Sequence, residues 1–462
     1  MAALQLDEVA REMDGKILQG SLSLVFQKFN IDSRLTEPGE LFFAIVAKRN
    51  GHDFIPSAAD RGAAGAVISQ MIPSPKKDFA LVEVKNTIDA LQKLAKGVLR
   101  DQKTQVVAIT GSIGKTTTKE FTFSMLSPKF SVLKSEGNLN NHLGLALSLL
   151  KLRAEHEVAV LEMGASARGE IKLLTQIAPP DIAVVTNINP VHLEFFKSME
   201  EIARAKKEIL EGTKEGGMAI LNYDDPLVRE IGRDWKGQKV FFGFSPECDV
   251  QASNIQPRGF EGLDFELRYG RKSGRVRFPL LYESYLSNLL AAVSVAYALS
   301  LPFELIVEQT NSLKPFPLRG TLIQLRKKIK VIDDSYNSNP KALEEALKGL
   351  SRLPAKRKVA VLGDMLELGE KEKEFHIQAG KQLVRWGWDL LVTIGTLSLH
   401  LAEGAKSSGM KEDHIVSFSH SEEAASNIES LIEAGDLVLV KGSRAVKTER
   451  IVEKLKEKLK ES

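Results

Sequence analysis

Apolar runs that alternate with segments of helical period dominate the chain from its first residues. In the first hundred positions, ELFFAI (40–45) and GAVIS (65–69) have the apolar character of buried strands, and TIDALQKLAKGVLRDQ (87–102) has the spacing of an amphipathic helix. A new apolar run begins directly after that helix. The pattern therefore predicts a small mixed α/β domain over residues 1–103.

The middle of the chain repeats a simpler alternation of strands and helices over residues 104–313. Fully apolar strands that are separated by helices indicate a parallel sheet with both faces covered. Shorter alternating stretches near its end predict an antiparallel patch. The parallel strands are predicted at VVAITG (106–111), VAVLEMG (158–164), IAVVTNI (182–188) and MAILN (218–222), and the antiparallel ones at FELRYG (265–270) and RVRFPL (275–280).

A segment with two prolines, PFPLRG (315–320), predicts a linker, after which the alternation starts again. We expect a Rossmann-like, doubly wound domain over residues 314–462. Its strands are predicted at KVIDD (330–334), KVAVLGD (358–364), DLLVTIG (389–395) and DLVLVKGS (436–443).

Composition narrows the classes of function. The chain of 462 residues carries 63 Lys and Arg against 60 Asp and Glu, and this near-balance gives no electrostatic argument for nucleic acid or an anionic membrane as a partner. The single cysteine, Cys248, excludes an internal disulfide framework and a cysteine-rich metal site. We expect a cytoplasmic protein.

One segment is long enough to span a bilayer. Residues 284–303 carry no charge, but they include four serines and Asn288, and Glu283 and Glu304 flank them rather than Lys or Arg. We therefore expect a buried helix of a folded domain and no membrane span.

The sharpest local signal is TGSIGKTTT (110–118), which follows an apolar strand and precedes a helix-period segment. Glycines in such a turn allow backbone N–H groups to approach phosphate oxygens, and the helix N-terminus adds positive potential. Lys115 is expected to neutralise phosphate charge and Thr116 to ligate Mg²⁺. The spacing is shorter than a strict Walker A motif, since Ile109 stands five residues before Gly114. The sequence predicts a P-loop ATPase-like central domain whose ATP contacts are Gly111, Ser112, Ile113, Gly114, Lys115, Thr116 and Thr117.

Magnesium prefers oxygen ligands and tolerates an imidazole, so further ligands are sought where parallel strands end beside the loop. Glu162 ends one predicted strand and His192 follows another. Lys206 lies within MEEIARAKKEIL (199–210), where the sequence alone favours an ordinary lysine on a helix surface. A bare ammonium group does not ligate Mg²⁺.

Together these motifs resemble the Mur ligases, which are ATP-dependent carboxylate–amine ligases. No single motif carries the resemblance, which covers all three predicted domains. In the central domain the matching stretches are TGSIGKTTTKE (110–120), NLNNHLG (138–144), LEMGA (161–165), TNINPVHLEFF (186–196), EIARAKKEI (201–209) and LNYDDP (221–226).

The outer domains are similar to the branch of the family that joins D-alanyl-D-alanine to UDP-N-acetylmuramoyl-tripeptide. Tripeptide-forming relatives would show a DYAHTP-like segment, and folylpolyglutamate synthases DGAHNP, where this chain has DDSYNSNP (333–340). The resemblance implies an amide ligase that works through an acyl phosphate with ATP and Mg²⁺, and we expect a monomer. The remaining matches are IDSRLTEPGELFFAI (31–45), GHDFI (51–55), VIDDSYNSNPKAL (331–343), VLGDMLELGEKEKEFH (361–376) and VKGSRAVKTER (440–450).

The resemblance also implies roles for individual residues. Lys115, His192 and Lys206 would be catalytic, and Lys206, as an N-carboxylated lysine, would join Thr116, Glu162 and His192 as a metal ligand. Residues implied to meet the nucleotide as the C-terminal domain closes are Asn288, Arg319, Asp334 and Asn337. Residues implied to contact the substrates are Ser33 and Arg34 on the UDP side, Asn141 on the central domain, and Lys441 and Arg444 on the dipeptide side.

Some positions depart from the family pattern. His142 stands where a glutamate is usual, Ala47 replaces a glycine, and the lead-in GxHNxxN is reduced to its last asparagine in YESYLSN (282–288). The adenine contacts are thus not assigned by resemblance. His376 is an open alternative as the base for the incoming amine, beside its interpretation as a helix-surface histidine.

Two other functions remain compatible with these residues. One is a Mur-type ligase that adds a different amine or acts on a different carboxylate. The other is a phosphate-loop protein that uses ATP binding as a switch, which would leave the outer domains without a purpose. The third residue of the acceptor peptide, diaminopimelate or lysine, is not encoded in any motif of this chain.

Overall fold

The computed structural model describes residues 3–190, 196 and 198–459. Its N-terminal region is a five-stranded sheet of order β2-β7-β6-β5-β4, in which only the β2/β7 pair is antiparallel, beside a β1/β3 ribbon. The elements are β1 (Leu4–Gln5), α1 (Leu6–Glu12), β2 (Lys16–Gln19), β3 (Val25–Phe26), β4 (Phe29–Asn30), β5 (Leu41–Phe43), α2 (Ile55–Asp60), β6 (Gly65–Ile68), β7 (Ala80–Glu83) and α3 (Thr87–Arg100).

The central region forms a nine-stranded sheet of order β16-β15-β14-β13-β12-β11-β8-β10-β9. Strands β8 to β14 are parallel, and β14, β15 and β16 form the predicted antiparallel patch. The elements are β8 (Gln105–Thr110), α4 (Lys115–Leu126), β9 (Val132–Lys134), α5 (His142–Leu149), β10 (Val158–Glu162), α6 (Glu170–Ile177), β11 (Ile182–Val185), α7 (Met199–Glu211), β12 (Met218–Asn222), α8 (Pro226–Ile231), β13 (Gln238–Gly243), β14 (Val250–Pro257), β15 (Leu263–Tyr269), β16 (Lys272–Phe278), α9 (Ser284–Ala298) and α10 (Phe303–Asn311).

The C-terminal region is a six-stranded sheet of order β17-β18-β22-β19-β20-β21, parallel except for β17 at one edge. This arrangement confirms the doubly wound prediction. The elements are β17 (Thr321–Leu325), β18 (Ile329–Asp334), α11 (Pro340–Ser351), β19 (Arg357–Gly363), α12 (Glu372–Arg385), β20 (Leu390–Ile394), α13 (Leu399–Ser407), β21 (Ile415–Phe418), α14 (Ser421–Leu431), β22 (Asp436–Lys441) and α15 (Glu449–Leu459).

The apolar strands of the central sheet are buried on both faces, as their sequence predicts. Along β8, Val106 and Ala108 join one hydrophobic cluster, whereas Val107 and Ile109 join another on the opposite face. This division follows from the two-residue period of a strand. The first cluster also includes side chains of α3, so the N-terminal and central regions share a core across the predicted border at residue 103. The domain limits therefore stay predictions.

No helix among the described residues is both long and apolar enough to cross a membrane. The uncharged segment at 284–303 forms α9, a four-residue break and the first residue of α10. Helix α9 packs into the second hydrophobic cluster through Leu286, Leu290 and Val293, which are all buried. This confirms the prediction of a buried helix.

Candidate active site

The phosphate-binding loop lies at the carboxyl end of β8, between β10 and β11, where ligands bind in parallel α/β sheets. Two of its glycines are sterically required. Gly111 has φ +145° and Gly114 has φ +84°, a region that residues with a side chain disfavour. A Cβ on Gly111 would lie 2.0 Å from Oγ1 of Thr186, and one on Gly114 would lie 2.1 Å from Oδ1 of Asn288.

A second loop, which follows β11, holds the phosphate-binding loop in place. The side chain of Asn187 binds both backbone groups of Ile113: its Oδ1 accepts from the amide at 2.9 Å, and its Nδ2 donates to the carbonyl at 2.9 Å. The Ser112 amide donates to the Asn187 carbonyl, and Thr186 Oγ1 donates to the Ile113 carbonyl. Because the Ser112 and Ile113 amides are already bonded here, and the Thr118 amide donates to the Gly114 carbonyl, the amides of residues 114–117 are the ones that an anion could meet.

Lys115 lies close enough to Glu162, Lys206 and Arg319 for its charge to interact with theirs. Its Nζ donates to the carbonyls of Gly111 at 2.8 Å and Ser112 at 3.1 Å, so the side chain folds back over the loop. Burial lowers the pKa of Lys115; Glu162 opposes that shift, and the positive charge of Arg319 adds to it. The structure thus brings together a loop lysine, a carboxylate from the central sheet and an arginine from the linker region.

Glu162 ends β10 and is buried, with one carboxylate oxygen held and the other left available. Oε1 accepts from Nδ2 of Asn140 at 2.8 Å, while Oε2 has no hydrogen-bond partner among the described residues. Thr116 supplies a hydroxyl at the start of α4. The described part of the chain contains no cluster of three or more His, Cys, Asp or Glu side chains that could enclose a metal. Magnesium bound to nucleotide phosphates needs only one or two protein oxygens, so this donor set fits it.

Lys206 is buried, and the expectation of a helix-surface lysine was wrong. Its relative exposure is 1%, and it makes no hydrogen bond or ion pair to any described residue. Burial and the nearby charge of Lys115 lower the pKa of Lys206 to about 7, against the opposing influence of Glu170 and Glu208. A substantial part of the population therefore carries a neutral, nucleophilic amine near pH 7.

The register of the helix that carries Lys206 is fixed by a carboxylate one half-turn further along it. Glu208 accepts from the amides of Gly169 at 2.7 Å and Lys172 at 3.0 Å, which ties α7 to the N-terminus of α6. No motif or periodicity in the sequence signals this contact. His192, the other predicted catalytic and metal-binding residue, lies outside the described residues.

On the C-terminal side, a buried ion pair joins the ends of β18 and β22. Nζ of Lys441 donates to Oδ2 of Asp334 at 2.6 Å and to the carbonyl of Asn337 at 3.0 Å. Burial raises the pKa of Asp334, and Lys441 counteracts that rise. The guanidinium of Arg319 stacks 4.1 Å from the ring of Tyr336. The sequence singled out four of these five residues and missed Tyr336.

A cleft of about 380 Å³ opens between α4 and the C-terminal region. Thr116 and Glu120 line it from α4, and Phe316, Arg319 and Tyr336 line it from the other side. The predicted phosphate-loop threonine and the predicted closing arginine therefore face the same cavity. An elongated ligand anchored at the loop can contact both regions at once.

Other predicted residues occupy less direct positions. Asn288 lies in α9 and accepts from Oγ1 of Thr118 at 3.2 Å, so it supports the phosphate loop from behind. Ser33 is buried, whereas Arg34 is exposed and paired with Asp32 at 2.6 Å. Asn141 caps α5 by accepting from the Gly144 amide, and Arg444 pairs with Glu449 at 2.9 Å.

His376 is buried, which contradicts its interpretation as a surface histidine. Its Nε2 accepts from the Met365 amide at 3.0 Å, and its Nδ1 is 2.6 Å from the carbonyl of Glu372. Burial lowers the pKa of His376. Because both ring nitrogens are occupied within its own domain, the structure gives His376 a packing role and no access to an incoming amine.

Replacing Gly114 by alanine is expected to weaken ADP binding at least about 10-fold and to lower thermal stability, with a cost of about 1–3 kcal/mol. The new Cβ would collide with Asn288 and force a left-handed alanine. Gly216→Ala is the matched control, since Gly216 has φ +77° and nothing lies within 4 Å of the position that a Cβ would take there. Calorimetric titration with ADP and a thermal melt measure both effects; equal affinities for the two variants would contradict the steric argument.

Comparison with known proteins finds relatives that match most of the chain. The family description "Mur ligase middle domain" matches residues 109–296, and "Mur ligase, glutamate ligase domain" matches residues 318–444. The UDP-N-acetylmuramoyl-tripeptide–D-alanyl-D-alanine ligase of Bacillus subtilis is 34% identical over 426 residues, which are 92% of each chain.

Two solved structures share the whole architecture. A crystal structure of MurF from Acinetobacter baumannii has a TM-score of 0.90 and 31% identity over 99% of each chain. The MurF ligase from Thermotoga maritima in complex with ADP has a TM-score of 0.81 and 32% identity, over 93% of this chain and 97% of that one.

Proposed function

This chain belongs to the Mur ligase family, and from that premise we propose that it joins D-alanyl-D-alanine to UDP-N-acetylmuramoyl-tripeptide while converting ATP to ADP and phosphate. It is an ATP-dependent ligase of peptidoglycan precursor synthesis. The observation that carries the proposal is the convergence of Lys115 with Glu162, Lys206 and Arg319 around the phosphate-binding loop. Relatives that bear the name of this reaction match 92% to 99% of the chain.

The reaction needs two steps, because a carboxylate does not react with an amine at neutral pH. The substrate carboxylate first attacks the γ-phosphorus of ATP, which forms an acyl phosphate and releases ADP. The free amine of the dipeptide then attacks the acyl carbon, and the tetrahedral intermediate expels phosphate as the amide forms. The amine proton leaves to a base or to solvent.

The protein mainly has to bring two anionic groups together and exclude water. Lys115 neutralises the transferring phosphoryl group, and Arg319 adds positive charge from the closing side of the cleft. Magnesium would be held by Thr116 and Glu162, where it supplies charge neutralisation at the phosphate oxygens. Asp334 and Asn337, anchored to Lys441, position the C-terminal region against the nucleotide.

Lys206 is proposed to carry an N-carboxyl group. A neutral amine attacks CO₂ to form a carbamate and loses one proton to a base or to solvent, and the burial that lowers the pKa of Lys206 supplies that amine near pH 7. The product is an oxygen ligand in place of an ammonium group, so it could join Thr116, Glu162 and His192 as a metal ligand. Among the described residues no ion pair competes for the Lys206 nitrogen.

We propose that each of the three predicted domains binds a different substrate or part of a substrate. Residues 1–103, with Ser33 and Arg34, would bind the UDP end; residues 104–313, with Asn141, would hold ATP and the peptide carboxylate. Residues 314–462, with Lys441 and Arg444, would bind the incoming dipeptide. We place the reaction in the cytoplasm and propose a monomer.

Purified protein supplied with ATP, Mg²⁺, UDP-N-acetylmuramoyl-tripeptide and D-alanyl-D-alanine is expected to release one phosphate for each pentapeptide product. Mass spectrometry of the nucleotide-linked product, alongside phosphate release, measures this ratio. A panel of single amino acids and other dipeptides tests the alternative of a different amine. Phosphate release without consumption of any amine would favour the ATP switch, and release only with another amine would reassign the substrate.

A further inference from the structure

One fully buried lysine beside the proposed metal carboxylate has no role in the mechanism above. Lys119 lies on α4, one turn after Lys115, and its side chain has no exposed surface. Its Nζ donates to the Gly137 carbonyl at 3.1 Å and lies 3.4 Å from Oε1 of Glu120. The same nitrogen is 4.0 Å from Oε2 of Glu162.

At a distance of 4.0 Å, Lys119 can neutralise the charge of Glu162 without forming a hydrogen bond to it. A buried carboxylate is costly unless a cation is near, and Lys119 supplies that charge to Glu162. At 4.0 Å, however, the ammonium does not hydrogen-bond Oε2, which stays without a partner among the described residues. The oxygen is thus compensated in charge and still open to a ligand.

The other neighbours hold the ammonium in this position. Glu120 is shared between Lys119 and Lys134, so it draws Lys119 away from Glu162. The Gly137 carbonyl fixes the nitrogen from the loop that also carries Asn140, the partner of Oε1 of Glu162. These contacts connect α4, the loop after β9 and the end of β10 around one buried ammonium group.

We propose that Lys119 is an internal counter-cation for Glu162, which makes a free divalent metal bind weakly until nucleotide phosphates arrive. The inference rests on the proposed role of Glu162 as a metal ligand. A metal ion on Oε2 is repelled by the neighbouring ammonium in a poorly screened interior. The negative charges of a triphosphate offset that repulsion, so the site favours metal that enters with ATP over metal alone.

The test is Mn²⁺ binding to the nucleotide-free protein, followed by electron paramagnetic resonance. Lys119→Met keeps most of the side-chain volume and removes the charge, and we expect it to bind Mn²⁺ at least about 10-fold more tightly than the unmodified protein. Lys151→Met is the matched control: Lys151 pairs at 2.7 Å with Glu136 of the same loop, but both side chains are exposed. The control is expected to leave Mn²⁺ affinity unchanged.

The double variant Lys119→Met/Glu162→Gln is expected to lose the increase in Mn²⁺ affinity that Lys119→Met alone produces. A purely structural role for Lys119 predicts weaker binding of Mn²⁺ in Lys119→Met, so unchanged or weaker affinity overturns the proposal. A gain that survives Glu162→Gln also overturns it. A Glu162→Gln single variant that binds Mn²⁺ normally in the presence of ADP would instead refute Glu162 as a ligand, independently of Lys119.

A second variant and thermal melts test the proposal even if Lys119→Met folds poorly. Lys119→Gln is the second uncharged variant, and thermal melts of both variants are compared with and without Mn²⁺. We expect Mn²⁺ to raise the melting temperature of the variants more than that of the unmodified protein, because the metal replaces the missing cation. Two variants that stay unfolded at saturating Mn²⁺ would show that the ammonium is needed for packing alone and would overturn the proposal.

Discussion

Replacing Lys206 by alanine is expected to lower kcat at least about 100-fold, or about 2.7 kcal/mol in the barrier, with partial recovery when acetate or formate is added. The loss follows from removal of the carboxylated lysine as an oxygen ligand. The alanine leaves a cavity in a buried site, and a small carboxylate can occupy it. Turnover measured against anion concentration, at constant ionic strength, reports the recovery.

Lys207→Ala is the matched control, since Lys207 is the next residue on α7 but is partly exposed and paired with Asp234. It is expected to turn over normally and to be insensitive to acetate. Protein equilibrated with ¹³C-bicarbonate should show a carbamate carbon signal that is absent from Lys206→Ala. Because the amine protonates below its pKa of about 7, the signal should fade as the pH is lowered through that value. Absence of both the signal and the recovery would remove the carbamate from the mechanism.

The second large effect is expected for Lys115→Ala, which should also reduce kcat at least about 100-fold. Its ammonium donates to two carbonyls of the loop, and we propose that it neutralises charge that develops on the transferred phosphoryl group. Since its contribution is greatest in the transition state, we expect kcat to fall more than the KM for ATP rises. Steady-state kinetics with varied ATP separate the two parameters.

Lys129→Ala controls for the loss of a lysine near the same helix, because Lys129 is exposed beyond the end of α4. It should retain the activity of the unmodified protein. A Lys115→Ala variant that kept more than about a tenth of kcat, a loss of only about 1.4 kcal/mol, would refute the assigned role of Lys115.

Local pattern was sufficient for much of the fold. The run of apolar residues at 218–222 predicted a strand with the observed ends, whereas the predicted strands at 158–164 and 182–188 run past the observed ends at Glu162 and Val185. In both cases the chain leaves the sheet to form the loops that surround the phosphate site. An apolar run marks a strand through its period, but loop residues such as Met163 and Ile188 are also buried and apolar, so the pattern alone does not locate the end.

Some parts of the candidate site could likewise be predicted from the sequence, and others could not. Glycines and a lysine in fixed order predict the phosphate loop from the sequence alone. Gly111 and Gly114 adopt positive φ values there, and glycine is the residue type that tolerates such values. The amide of Asn187 that holds Ile113 comes from a loop 74 positions away along the chain, and no periodicity marks it. Asn187 lies within a stretch that resembles the family, but the resemblance implied no role for it.

The sequence by itself determined the order of strands and helices, the phosphate-binding turn and the family to which they point, since each depends on residues close together along the chain. Only the tertiary structure decided which charged groups are buried. Lys206 and Lys207 are adjacent on one helix, yet one is enclosed beside Lys115 while the other reaches Asp234 at the surface. The free energy of an ionised group depends on the polarity and charge of everything packed around it, and distant segments supply those surroundings only after folding.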